Sequence, residues 1–289
     1  MTPAARAQLQ MHACVLLWGF TAILGKAISL PALPLVWWRM TMVAALLALT
    51  PRVWRGWRAM TPRLMVAYAA IGLVVALHWL TFYGAIKLSN ASVAATCMAL
   101  APVFQAVLEP LVAGSRFDPR ELLLGLGVIP GVWLVAGAVS PSYRVGIAVG
   151  ALSAALAAVF SAFNKRLVLR GDPLAITGLE LGAGALLLTV ATPFLPHDGA
   201  AFVLPGARDL ALLATLAVGC TLIPFTLALV ALRHLSAFAS TLIVNLEPVY
   251  AIVLAIPLFG EQRELSPSFY LGVAIILGAV VAYPRLKSR

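Results

Sequence analysis

Acidic residues are scarce in this chain: 10 Asp and Glu stand against 20 Lys and Arg, and charged residues of both signs make up only 10% of the 289 positions. A soluble domain that is 62% hydrophobic, with a mean hydropathy of +1.01, could not hide its apolar surface from water. The three cysteines, Cys14, Cys97 and Cys220, fall in apolar stretches without paired spacing. That argues against a disulfide framework or a metal site and leaves them as small buried residues. No polar segment is long enough for a separate nucleotide-binding or catalytic domain, and no Gly-rich phosphate loop ending in Lys-Ser or Lys-Thr occurs. His12, His78, His197 and His234 are scattered, with no His-Glu-x-x-His or Gly-x-Ser-x-Gly arrangement and no close carboxylate pair. An intramembrane enzyme therefore has no visible machinery, and no cofactor or metal is expected.

What the sequence does have is ten apolar windows of about 17 to 23 residues, the length a helix needs to cross hydrocarbon. They are expected at 10–30, 33–50, 64–86, 91–113, 121–139, 145–165, 174–195, 208–230, 236–258 and 268–284. A net charge of +10 could suggest nucleic acid, but the basic residues follow the membrane instead. Fourteen fall on one side: Arg6, Arg52, Arg55, Arg58, Arg63, Arg116, Arg120, Lys165, Arg166, Arg170, Arg233, Arg285, Lys287 and Arg289. Only four, Lys87, Arg144, Arg208 and Arg263, fall on the other, and Lys26 and Arg39 lie within the first two spans. This bias predicts both termini in the cytoplasm. The first span is longer than a signal-peptide core and lacks a clear cleavage site, so it is expected to be retained.

The spans are organised by a repeat. Ala85, Ala91, Leu100, Pro102, Val103, Val107, Leu108 and Gly114 recur 146 residues later as Ala231, Ala237, Leu246, Pro248, Val249, Val253, Leu254 and Gly260. Lys26 and Pro34 align more weakly with Lys165 and Pro173, and Gly125 and Gly131 with Gly272 and Gly278. The chain divides into two five-helix units, 1–139 and 140–289, with a seam near Ser140–Arg144. An odd number of spans per unit turns the second upside down relative to the first, the architecture of alternating-access carriers. Asn245 and Glu247 replace Ala99 and Ala101 of the first copy, so the repeat is symmetric in scaffold and asymmetric in chemistry. The longest loops are 51–63 and 196–207; Arg52, Trp54, Arg55, Trp57 and Arg58 make the first an interfacial belt.

The string from Ala231 to Gly260, with Asn245-Leu246-Glu247-Pro248-Val249 inside it and Phe259-Gly260-Glu261 at its end, resembles the second EamA repeat of the drug/metabolite transporter superfamily. Trp18-Gly19, Lys26 and Arg39 look like the start of the first repeat. The resemblance covers essentially the whole chain, although Ser115 stands where the second copy has Glu261. It implies an all-α integral membrane protein of ten helices, with spans 1–4 and 6–9 around a central cavity. Spans 5 and 10 would lie to the side, available for packing or a homodimer. One branch that this chain looks similar to exports aromatic and other neutral amino acids across the bacterial inner membrane.

Candidate site residues are those whose depth the interface does not explain. His78, Trp79 and Tyr83 share part of one helix surface in the third span, where they wall a cavity or, alternatively, His78 is satisfied between helices and Trp79 faces lipid. Trp18 is too deep for an interfacial belt, whereas Trp37 and Trp38 suit anchoring. Met98, Phe160, Asn164, Phe225 and Asn245 lie at comparable depth, with helix packing as their alternative. Pro102 and Pro248 remove backbone donors and are expected to bend their helices in matched positions. Glu180 and Glu247 are the least expected residues in a membrane. Either could bind a substrate ammonium, carry a coupling proton, or pair structurally with Lys26 or Arg39. Glu109 reads as an interfacial acid. The expected partners are a small-molecule substrate and lipid, not nucleic acid. The expected function is outward transport of small neutral, aromatic amino acids; the alternatives are export of another small metabolite or drug, and a non-transporting membrane scaffold.

Overall fold

In a computed structural model, residues 2–137, 139–194, 202–263 and 265–287 are described. Residues 196–201 of the second long loop, with His197, lie outside that set, as do Arg289 and the side chains of Glu261, Arg285 and Lys287. The helices are α1 (Pro3–Ala27), α2 (Ala32–Ala48), α3 (Pro51–Arg58), α4 (Pro62–Leu88), α5 (Ala91–Cys97), α6 (Ala101–Ala113) and α7 (Pro119–Gly137). They continue as α8 (Arg144–Leu167), α9 (Pro173–Ala191), α10 (Ala207–Ala217), α11 (Ile223–Leu232), α12 (Ala237–Val244), α13 (Glu247–Phe259) and α14 (Pro267–Lys287).

Among the described residues each of the ten expected windows is mostly helical. Among the described residues seven helical stretches are long and apolar enough to cross a membrane, and α2 with α3 makes an eighth if that pair, bent by 86°, counts as one span. Starts are set by short polar caps: Thr2 and Thr61 accept from the backbone N–H three residues on, and Asp172 from Leu174 and Ala175, each ahead of a proline. The Thr2-Pro3 start carries α1 seven residues ahead of its expected beginning at residue 10. The basic, Trp-rich segment forms α3, where Trp57 donates to the Ala175 carbonyl at 2.8 Å and Arg52 pairs with Asp172 at 2.6 Å.

Three windows expected to be continuous are broken. The first-repeat copy passes through a 3-10 turn at Met98–Leu100, and the second breaks at Asn245–Leu246. Pro102 and Pro248 then occupy the same place in the first turn of α6 and of α13. Both copies end identically, with Gly114 and Gly260 in the left-handed region at φ 72° and 68°. The third break, a π turn at Val218–Leu222, precedes Pro224.

The repeat is inverted. α4 packs on α8 and α9, and its counterparts α10 and α11 pack on α2 and α1. Repeat-mates α2 and α9 meet directly and run antiparallel: Trp37 at the start of α2 donates to Thr189 near the end of α9, while Leu47 near the other end sits against Gly178. α7 and α14 meet the same way through Gly131 and Gly272. Without water to expel, such contacts depend on backbones approaching closely. At Gly72 a Cβ would collide with the Glu180 backbone across the α4–α9 contact. Gly72→Val is therefore expected to destabilise the fold by about 1–3 kcal/mol, seen as a lower Tm in detergent. An unchanged Tm would show that α4 and α9 have room to separate.

Candidate functional site

Between the two repeats, beside the matching breaks at Met98–Leu100 and Asn245–Leu246, lies a partly open cavity of about 130 Å³. Its walls come from α1 (Trp18, Thr21), α2 (Arg39), α4 (His78, Trp79, Phe82), the 3-10 turn (Met98), α8 (Phe160, Ser161, Asn164), α11 (Phe225), α12 (Ser240, Thr241) and Glu247. Trp18, His78, Trp79, Met98, Phe160, Asn164 and Phe225 all face it, as do Arg39 and Glu247.

Arg39 is only 2% exposed and is held entirely by neutral groups. Its Nε donates to Thr221 Oγ1 at 2.5 Å, Nη1 to the Tyr83 hydroxyl at 2.7 Å, and Nη2 to the Cys220 carbonyl at 3.3 Å. Pro224 explains the last bond: lacking an N–H, it cannot donate to Cys220, four residues back, and the freed carbonyl receives Arg39 instead. The guanidinium lies 3.8 Å over the Trp79 ring. With five N–H groups available and three engaged, one hydrogen remains on each Nη. Glu247, 7% exposed, makes no hydrogen bond or ion pair within 4 Å among the described residues, so it and Arg39 border one cavity without contacting each other.

His78 Nδ1 lies 2.9 Å from the Ser153 carbonyl, and Ser153 Oγ donates back to the His78 carbonyl at 3.0 Å. This network assigns the proton to Nδ1 and leaves Nε2 an acceptor. The imidazole packs against Phe160, with ring centroids 5.3 Å apart, and Phe225 meets both Phe160 and Trp79.

Several expected positions are elsewhere. Tyr83 is fully buried behind Arg39, which takes its hydroxyl, so it supports the wall without forming it. Asn245 turns away to donate to the Ala99 carbonyl at 3.4 Å, and Ala99 is its own counterpart in the first repeat. The break in one copy thus satisfies a carbonyl in the break of the other. Lys26 sits 4.9 Å from the Phe259 ring centre and outside the cavity wall. Glu180 is completely buried behind Asn164, which donates to it at 3.3 Å. Neither Glu180 nor Glu247 forms an ion pair with Arg39, which donates instead to Thr221, Tyr83 and Cys220 with three of its five N–H groups.

Glu109 is not an interfacial acid. It is buried and accepts from the Ala237 and Phe238 N–H groups at 3.1 and 2.6 Å, capping α12 across the repeat interface. Trp37 and Trp38 likewise tie the repeats together, donating to Thr189 and to the Val203 carbonyl. Asp209 accepts from the Ser29 hydroxyl and backbone N–H near them. Thr21, Ser161, Ser240 and Thr241 were not legible as wall residues, because hydroxyls are common in membrane helices where they bond their own backbone. Among the described residues no group of three His, Cys, Asp or Glu could hold a metal ion.

The model of the EamA-like transporter family matches residues 6–137 and 144–283. A protein of Salmonella typhimurium described as the uncharacterized inner membrane transporter YicL is 26% identical over 206 residues, covering 70% of this chain and 67% of that protein. A crystal structure whose description names no activity superposes with a TM-score of 0.72 at 20% identity, over 98% of this chain and 97% of the other. That likeness concerns the fold.

Proposed function

The chain belongs to the EamA-like transporter family, and from that premise we propose that it exports small neutral, aromatic amino acids across a bacterial inner membrane by alternating access. The observation that carries this reading is the unpaired Arg39 and Glu247 in one aromatic-walled cavity. A zwitterion supplies both missing charges: its carboxylate takes the two remaining Nη hydrogens of Arg39, and its ammonium faces Glu247. Trp18, Trp79, Phe160 and Phe225 offer ring faces and edges to a planar side chain. His78 Nε2 is placed to accept from a phenol or indole N–H.

The wall extends through Met11 and Leu232, close to Arg6 and Arg233 at the basic end. At the other end the repeats are joined by Ser29–Asp209, Trp37–Thr189 and Trp38–Val203, and Lys87 donates to the Ile28 carbonyl. Release on that side requires these bonds to part, and rocking of one inverted repeat against the other would do it. The test is counterflow in proteoliposomes: labelled phenylalanine, tyrosine or tryptophan should exchange against unlabelled substrate at least ten times faster than in protein-free vesicles. A folded protein that moves none of these, but moves a purine or a sugar in the same panel, would assign the cavity to another small metabolite.

A further inference from the structure

Behind the cavity wall lies a second polar group, Glu180, joined to the cavity through the wall residue Asn164. Glu180 is 0% exposed, at the α4–α9 contact, and its one hydrogen bond is Asn164 Nδ2 to Oε2. Glu180 Oε1 and Asn164 Oδ1 are both fully inaccessible and have no hydrogen-bond partner among the described residues. Two orphaned acceptors on two side chains already joined by one bond is a costly arrangement for a buried pair.

One added proton resolves it. On Oε1 it converts an orphan acceptor into a donor and completes an acid–amide pair with Asn164, two hydrogen bonds where there was one. The ionisable groups on the surrounding elements are committed elsewhere. Tyr68 of α4 donates to the Leu167 carbonyl, and Arg39 of α2 is held as described. Arg52 at α3 pairs with Asp172, Lys165 of α8 donates to the Leu232 and Leu235 carbonyls, and Arg233 after α11 donates to the Gly171 carbonyl. A hard metal cation would need about six oxygens, whereas this pair brings three, one of them already in use.

We propose that Glu180 and Asn164 form a proton-binding site that couples transport to the proton gradient. The coupling runs through Asn164, which is both the partner of Glu180 and part of the cavity wall. A substrate polar group that takes the Asn164 amide removes the partner of the protonated acid, so substrate and proton occupy the protein alternately. One proton then moves inward on Glu180 for each substrate molecule moved outward, and no other bond changes.

The proton site is tested apart from transport, on the purified full-length protein. The difference infrared spectrum between wild type and Glu180→Gln should contain the C=O stretch of a neutral carboxylic acid. Asn164→Ala, which leaves the acid in place, should shift that band. Identical spectra, or a carboxylate band such as a water-bridged Glu180 would give, overturn the proposal. The coupling rests on the transport reading above and is measured in the same liposomes. Imposing one pH unit should concentrate substrate up to about tenfold in wild type. Glu180→Ala, which leaves the Asn164 amide to the substrate, should retain counterflow and lose the concentration. Accumulation that ignores pH, follows sodium instead, or persists in Glu180→Ala refutes the coupling. A wild type without counterflow of any aromatic amino acid refutes the substrate reading and leaves the infrared result to decide the proton site.

Discussion

Replacing Arg39 with Gln is expected to weaken binding of an aromatic amino acid by between about thirtyfold and several thousandfold. Removing one partner from a buried, hydrogen-bonded charge pair costs about 2–5 kcal/mol, and 1.4 kcal/mol is a factor of ten. The effect is large because the protein has already met the cost of burying the guanidinium. Thr221, Tyr83, Cys220 and the Trp79 face hold it in one orientation, so little ordering remains for the substrate to impose. Arg39→Lys should fall between the two, keeping the charge and losing both the fork and the flat face that lies on Trp79. Tyr83→Phe, which removes one support without touching the cavity, should change affinity far less. The readout is the Kd of labelled substrate on detergent-purified protein, with Tm measured in parallel. A folded Arg39→Gln that binds like wild type would make Arg39 a packing residue and withdraw the carboxylate from this end of the cavity.

Arg39 also shows how far the sequence could be read. A charge within an apolar span was visible at once, and with Trp18, His78, Trp79, Phe160 and Phe225 it stood out by depth alone. Its partners were not visible. The carbonyl it binds is freed by a proline four residues downstream in the other repeat, and that proline belongs to no repeated motif. The repeat itself was legible because Pro102, Pro248, Gly114 and Gly260 are backbone requirements that few other residues meet. Hydropathy marked where helix would form but not where it would break, since a 3-10 or π turn changes hydrogen-bond partners without changing composition. Asn245 and Glu109 were assigned to cavity and interface because their depth was known and their direction was not. One turn of helix separates a side chain that faces a ligand from one that caps the opposing repeat.

The asymmetric residue that does face the cavity supports the sharpest test of substrate class. Glu247 stands where the first repeat has Ala101, and among the described residues no hydrogen bond or ion pair explains a carboxyl at this buried position. If it receives the substrate ammonium, Glu247→Gln keeps the shape and removes the charge. Charge-assisted hydrogen bonds contribute about 1.5–3 kcal/mol, so phenylalanine affinity should fall by roughly tenfold to a hundredfold. The informative comparison is with 3-phenylpropionate, which has the ring and the carboxylate but no amine. Wild type should reject it, because once the ligand carboxylate has taken Arg39 nothing in the bound ligand faces Glu247. Glu247→Gln removes that penalty, so 3-phenylpropionate should bind better in the variant than in wild type, and the preference for the amino acid should shrink at least tenfold or reverse. Competition of the two ligands against one labelled substrate measures the ratio directly and is insensitive to how much protein is active. An unchanged ratio, with both affinities falling together, would place the amine away from Glu247 and favour a carboxylate substrate recognised by Arg39 alone.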